Sequence, residues 1–116
     1  MSSVTIYHNP RCSTSRTVLG MLREAGVEVE VIDYLQAGWT EKVLRRLIAG
    51  SSGGAQGLLR AKEPLARELN LAEAPEAAVL EAMIDNPVLV ERPIVESGGR
   101  AVVCRPPERV WEVAER

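Results

Sequence analysis

Apolar residues recur along this chain at two spacings, and each change of spacing marks a new element. Val4-Thr5-Ile6-Tyr7 is short and dominated by β-branched and aromatic side chains, which predicts a buried first strand. Past Asn9-Pro10 the spacing becomes helical: Val18, Leu22 and Ala25 fall at i, i+4 and i+7, with Met21 beside them. Gly26 follows as a helix terminator, so residues 13–25 read as an amphipathic helix. Val27-Glu28-Val29-Glu30-Val31 then alternates with period two, and the strand it predicts continues to Tyr34. Strand, helix and strand within about 30 residues make a βαβ unit, normally right-handed with parallel strands.

The middle of the chain is helical. Thr40 stands at an N-cap position ahead of Val43, Leu44, Leu47 and Ile48, and Gly50 ends that helix. Ser51-Ser52-Gly53-Gly54 reads as a loop. A short helix is predicted over residues 56–62 and another from Pro64 through Leu69. A third opens at Pro75, turns Val79, Leu80, Met83 and Ile84 inward, and stops at Asn86-Pro87. Residues 88–90 then lead to Arg92-Pro93. Ile94-Val95-Glu96 and residues 100–104 flank Ser97-Gly98-Gly99, a hairpin signal. Pro106-Pro107 opens a last helix with Val110, Trp111 and Ala114 along one side. The order β-α-β, helices, β-β-α predicts a single thioredoxin-like α/β domain over residues 1–116. Its sheet would be mixed and four-stranded, with a helical insertion between the βαβ and ββα halves.

Composition narrows the function classes. No apolar run of about 18 residues and no cationic stretch leading into one is present, so neither a membrane span nor a signal peptide is expected. The net charge of −2 argues against a nucleic-acid surface. Phe is absent and only two Tyr and two Trp occur, which leaves little for stacking on bases. Two cysteines without an export signal suit the reducing cytoplasm. Those cysteines and one His make no recognisable zinc ligand set. The chain length and the lack of a coiled-coil seam fit a monomer. Lys42 and Lys62 are the only lysines among 14 basic residues, so 12 are Arg. An arginine therefore gains weight from its position alone.

Candidate chemistry centres on Cys12. If a helix begins near Ser13, Cys12 sits at its N-terminus, where unpaired N–H groups carry about half a positive charge. That location favours thiolate over thiol and attracts an oxyanion to the same groups. The alternative, a small buried hydrophobe, fits poorly beside Pro10, Arg11, Ser13 and Ser15. Ser15 takes the second position of a Cys-x-x-Cys pair, so no disulfide can form there. Its hydroxyl either donates to the Cys12 sulfur or faces solvent. His8, four residues before Cys12, is either a cation or donor favouring the thiolate or a strand-end residue with a structural hydrogen bond. A phosphatase loop needs Cys-x5-Arg, whereas this chain has Cys-x3-Arg16. Cys104 reads as a semi-buried packing residue.

The segments YHNPRCSTSR, LLRAKEP, NLAE, NPVLVERPIV and CRPPE, in this order, make the chain resemble the glutaredoxin-coupled arsenate reductase family. The resemblance implies that Cys12 is the nucleophile that forms a thiol–arsenate adduct. It further implies that Arg60, Arg92 and Arg105 embrace the oxyanion, that His8 supports the cysteine, and that the Arg92-Pro93 bond is cis with Pro93 facing the cysteine loop. Guanidinium forks suit pairs of oxygens on a tetrahedral dianion, and several cations are needed to hold it beside a thiolate. No bound cofactor is implied; glutathione is the co-substrate and glutaredoxin the protein partner. Two other readings stay open at this point. One is a glutathione-dependent thiol reductase for another oxyanion or a mixed disulfide. The other is a thioredoxin-like redox regulator that binds RNA polymerase, whose Cys-x-x-Cys switch Ser15 removes.

Overall fold

The computed structural model describes residues 3–115. Its strands are β1 (Ser3–His8), β2 (Glu28–Asp33), β3 (Ile94–Ser97) and β4 (Arg100–Val103), in the order β2-β1-β3-β4. β1 and β2 are parallel, with Ser3 opposite Glu28 and His8 opposite Asp33. β3 runs antiparallel to β1, and β4 antiparallel to β3. This is the mixed four-stranded sheet of a thioredoxin-like α/β fold.

The crossover from β1 to β2 is α1 (Ser13–Glu24), with Val18 and Leu22 fully buried. Its end follows from Gly26, whose φ of 78° lies in the left-handed region that glycine adopts freely. The Gly26 N–H donates to Arg23 O at 3.0 Å and the Val27 N–H to Leu22 O at 3.0 Å, a Schellman pairing that satisfies the last carbonyls.

Between the two halves lie α2 (Tyr34–Ala37), α3 (Glu41–Gly50), α4 (Gly54–Leu58), α5 (Pro64–Glu68) and α6 (Glu76–Asp85). Tight 3-10 turns occur at Leu71–Glu73 and Pro87–Leu89. The sheet divides two cores. Tyr7, Trp39, Leu44, Leu47, Met83, Ile94 and Ala101 pack under the insertion. Val4, Ile6, Val18, Leu22, Val95, Val102 and Val110 pack under α1 and the final turn. Ile94 and Val95, like Ala101 and Val102, go to opposite faces as a period of two requires. Arg46 of α3 ties the insertion to the sheet, reaching Glu96 at 2.7 Å and the Tyr7 hydroxyl at 2.9 Å.

Three elements depart from the sequence expectation. β2 stops at Asp33, because the Asp33 carboxylate accepts the Leu35 N–H at 3.0 Å and starts α2. Tyr34 thereby leaves the strand and begins a helical turn. β2 is also a sheet edge, so Val31 is 39% exposed despite its alternating pattern. The helix expected over residues 56–62 is α4, displaced toward Gly54. Long-range pairing ends it: the Arg60 N–H donates to Leu89 O and the Glu91 N–H to Leu58 O, each at 2.7 Å, around a Leu59–Val90 bridge. The last helix is a 3-10 turn, Pro107–Glu112, held by bonds such as Arg109 N–H to Pro106 O.

Candidate active site

At the end of β1 the chain turns sharply before entering α1. The Arg11 N–H donates to Asn9 Oδ1 at 2.9 Å and the Cys12 N–H to Asn9 O at 3.0 Å. This Asx-type turn leaves Cys12 extended at φ −94° and ψ 122°, as the N-cap of α1. The Arg16 N–H bonds Cys12 O at 3.1 Å, and Arg16 Nη1 reaches back to Pro10 O at 2.8 Å, clasping the loop to the helix. The first turn of α1 contains no acidic residue.

Opposing influences act on the Cys12 thiol. Partial burial by itself pushes it up. The Ser15 N–H, the Arg92 charge, the Thr14 N–H and the Arg105 guanidinium together outweigh burial and hold the thiol below its ordinary value. Arg105 Nη1 lies 3.9 Å from Cys12 Sγ and 3.2 Å from Arg92 O. Thus the residues on either side of the ββ hairpin converge on the start of α1.

Arg92 is mostly buried, with Nη1 3.0 Å from Glu91 Oε1. Its Nε is buried without a hydrogen-bond partner. Arg60 Nη1 lies 3.4 Å from Glu63 Oε2. The Leu59–Val90 bridge holds the two arms that carry Arg60 and Arg92 together. The Arg92-Pro93 bond is cis, and so is Arg105-Pro106. Pro93 O accepts the Cys104 N–H at 3.0 Å, which sets the entry to Arg105.

His8 takes the plainer of its two expected roles, whereas Ser15 takes neither of its own: it is fully buried, so its hydroxyl does not face solvent, and it meets His8 and Asn9 instead of the sulfur. The Ser15 hydroxyl lies 2.6 Å from His8 Nδ1 and accepts the Asn9 N–H at 3.0 Å. It is the Ser15 N–H, not its hydroxyl, that acts on the sulfur. Burial holds His8 below its ordinary value; Asp33 opposes this, while Arg23 and Arg16 reinforce it. His8 is therefore neutral at neutral pH, and its bond to Ser15 is a structural one. Cys104 is fully buried rather than half-buried, and burial pushes its thiol up to about 12.

One residue escaped the sequence reading. Tyr34, 1% exposed, accepts a hydrogen bond from Asn9 Nδ2 at 3.4 Å. It stacks on Trp39 with centroids 5.0 Å apart. The signal for it is the βαβ pattern itself. His8 pairs with Asp33, so Asn9 and Tyr34 both leave the carboxyl ends of adjacent parallel strands, where ligands of α/β sheets bind. A hollow of about 410 Å³ elsewhere, beside β4 between Gly50 and Glu112, includes none of these residues. Among the described residues no cluster of His, Cys, Asp or Glu could hold a metal ion, and no helix is long and apolar enough to cross a membrane.

A mixed sheet with one thiol at the start of its first helix defines a thioredoxin-like thiol protein. A model of the ArsC family matches residues 7–113. Uncharacterized protein YfgD of Escherichia coli (strain K12) is 51% identical, over 95% of each chain. Arsenate reductase ArsI2 of Synechocystis is 40% identical, over 97% of this chain and 81% of its own length. The solved structure of an arsenate reductase from Vibrio cholerae matches with a TM-score of 0.89 at 41% identity, over 97% of this chain and 98% of that one. The chain belongs to the ArsC family, the family of these arsenate reductases.

Proposed function

We propose that this protein reduces arsenate to arsenite, with Cys12 as nucleophile and Arg60, Arg92 and Arg105 as the clamp on the oxyanion. The Cys12 thiolate attacks arsenic, an S–As bond forms, and an arsenate hydroxyl takes a proton from solvent and leaves as water. Glutathione then attacks Cys12 Sγ: an S–S bond forms, the S–As electron pair stays on arsenic, and arsenite departs. Glutaredoxin takes the glutathione from the mixed disulfide and returns Cys12 to the thiolate. Both resolving thiols come from outside, which accords with Ser15 at the Cys-x-x-Cys position and Cys104 buried in the core. The whole chain would act as one domain, as a monomer in the cytoplasm.

The observation that carries this reading is the guanidinium of Arg105 at 3.9 Å from a thiol held below its ordinary value at a helix start. The buried, unpartnered Nε of Arg92 adds a donor free to meet an anion. The test is a coupled assay with arsenate, glutathione and glutaredoxin, in which glutathione reductase passes electrons from NADPH to the glutathione disulfide formed. NADPH oxidation is expected to need all three reactants and to vanish in Cys12→Ser. Activity surviving that substitution sinks the nucleophile. An inactive, folded wild type beside a working control enzyme sinks the substrate. Turnover without glutathione or glutaredoxin sinks the proposed reductants.

A further inference from the structure

The Asn9 backbone N–H donates to Ser15 Oγ at 3.0 Å, and its side chain reaches Tyr34. The Asn9 side-chain amide has a fixed orientation, because its Oδ1 accepts the Arg11 N–H at 2.9 Å. Its Nδ2 is therefore the donor to the Tyr34 oxygen, 3.4 Å away. That contact uses a lone pair of Tyr34 and leaves the phenolic proton free. Among the described residues this proton meets no acceptor, although Tyr34 is 1% exposed. A buried hydroxyl with an idle donor is an exception that calls for a partner.

The surroundings restrict what that partner is. The charged groups that act on the phenol are Arg92, Cys12 and Arg60. The two guanidiniums are donors only. Of these charged groups only the Cys12 sulfur can accept, and no hydrogen bond joins it to Tyr34; an anion drawn to the two guanidiniums beside the sulfur supplies the acceptor. Burial pushes the phenol up, so it keeps its proton at neutral pH and stays a donor.

We propose that the Tyr34 hydroxyl donates a hydrogen bond to the tetrahedral oxyanion at Cys12, making Tyr34 a substrate-contacting residue. This rests on the oxyanion reading of the site given above. The ring is held for the task by its stack on Trp39 and the hydroxyl by Asn9.

The experiment is protection of Cys12 from iodoacetamide by added arsenate, in wild type, Tyr34→Phe and Tyr7→Phe. Tyr34→Phe keeps the ring and removes only the oxygen. It is expected to weaken protection by about ten- to a hundredfold, the effect of losing a hydrogen bond to a charged group. Its alkylation rate without arsenate and its Tm should stay near the wild-type values. Tyr7→Phe is the control: its hydroxyl is committed to Glu96 and Arg46, and protection should be kept. Equal protection in Tyr34→Phe overturns the Tyr34 role and leaves the parent reading intact. Lost protection in Tyr7→Phe, or a Cys12 reactivity altered in Tyr34→Phe before arsenate is added, overturns it in favour of a packing effect. Absent protection in wild type overturns both. Should Tyr34→Phe fail to fold, the 13Cζ resonance of Tyr34 in Cys12→Ser serves instead; it is expected to move on arsenate addition, and a fixed resonance overturns the proposal.

Discussion

Arg105 Nη1 stands 3.9 Å from Cys12 Sγ across a sequence separation of 93 residues. The same nitrogen donates to Arg92 O, so the guanidinium is oriented by backbone and not by a carboxylate. Its charge is left for the thiol. Arg105→Gln keeps a donor and removes the charge. The Cys12 thiol then titrates higher, and at neutral pH iodoacetamide reacts about two- to fivefold more slowly, the range expected for a pair open to solvent. An unchanged rate against pH would remove Arg105 from the account of the thiolate.

The two thiols should separate cleanly. Cys104 is fully buried and its thiol is pushed up to about 12, so only Cys12 should react with a thiol reagent in the native protein. The second thiol should appear on adding denaturant. Cys104→Ser places a hydroxyl among Val4, Val18 and Val110 and should destabilise the fold by about 1–3 kcal/mol in urea titration. Fast native modification of Cys104 would contradict its place in the core.

His8 gives a pH dependence with a definite sign. Its folded value is lowered by burial, so the unfolded chain binds the proton more readily. The stability it supports is full above the ordinary histidine range and is lost as pH falls through the lowered value. Wild-type Tm should drop as pH falls below the ordinary histidine range, and the drop should be shallower in His8→Asn. Parallel curves for the two proteins would show that His8 is not the titrating group.

Local chemistry made part of this molecule readable in advance. Gly26, Gly98 and Gly99 sit where positive φ is needed, and each marked its turn in the sequence. Cys12 at a helix start was likewise local, resting on Asn9-Pro10 before an amphipathic run. What was hidden depends on register. Tyr34 reaches the site because His8 pairs with Asp33, which puts the next residue of each strand at one end of the sheet. α4 shifted because Leu59 pairs with Val90, a partner 31 positions on that no local pattern announces. The Ser15 hydroxyl was expected to meet the Cys12 sulfur or solvent, and it meets His8 instead. That contact joins the end of β1 to the first turn of α1, so it depends on how the intervening loop folds. The expectation that Arg60, Arg92 and Arg105 form one clamp came from family likeness alone, since an arginine-rich composition gave none of them priority.

Arg92 is where stability and function should pull apart. Its side chain is 15% exposed, and its Nε is buried without a partner, which costs the fold roughly 1–3 kcal/mol of lost hydration. Its ion pair with Glu91, at 3.0 Å, returns little, because Glu91 is 28% exposed and can be solvated alone. Arg92→Met keeps the length of the side chain and removes both the orphaned donor and a positive charge near Arg105. The variant should melt a few degrees above wild type, since about 1 kcal/mol moves a domain of this size by that much. Arsenate should no longer protect its Cys12, and Cys12 should titrate higher because the Arg92 charge is gone. A lower Tm would mean that the Glu91 pair, and not a waiting anion, is the reason the guanidinium is buried. Removing one member of a buried pair would then have left the other uncompensated.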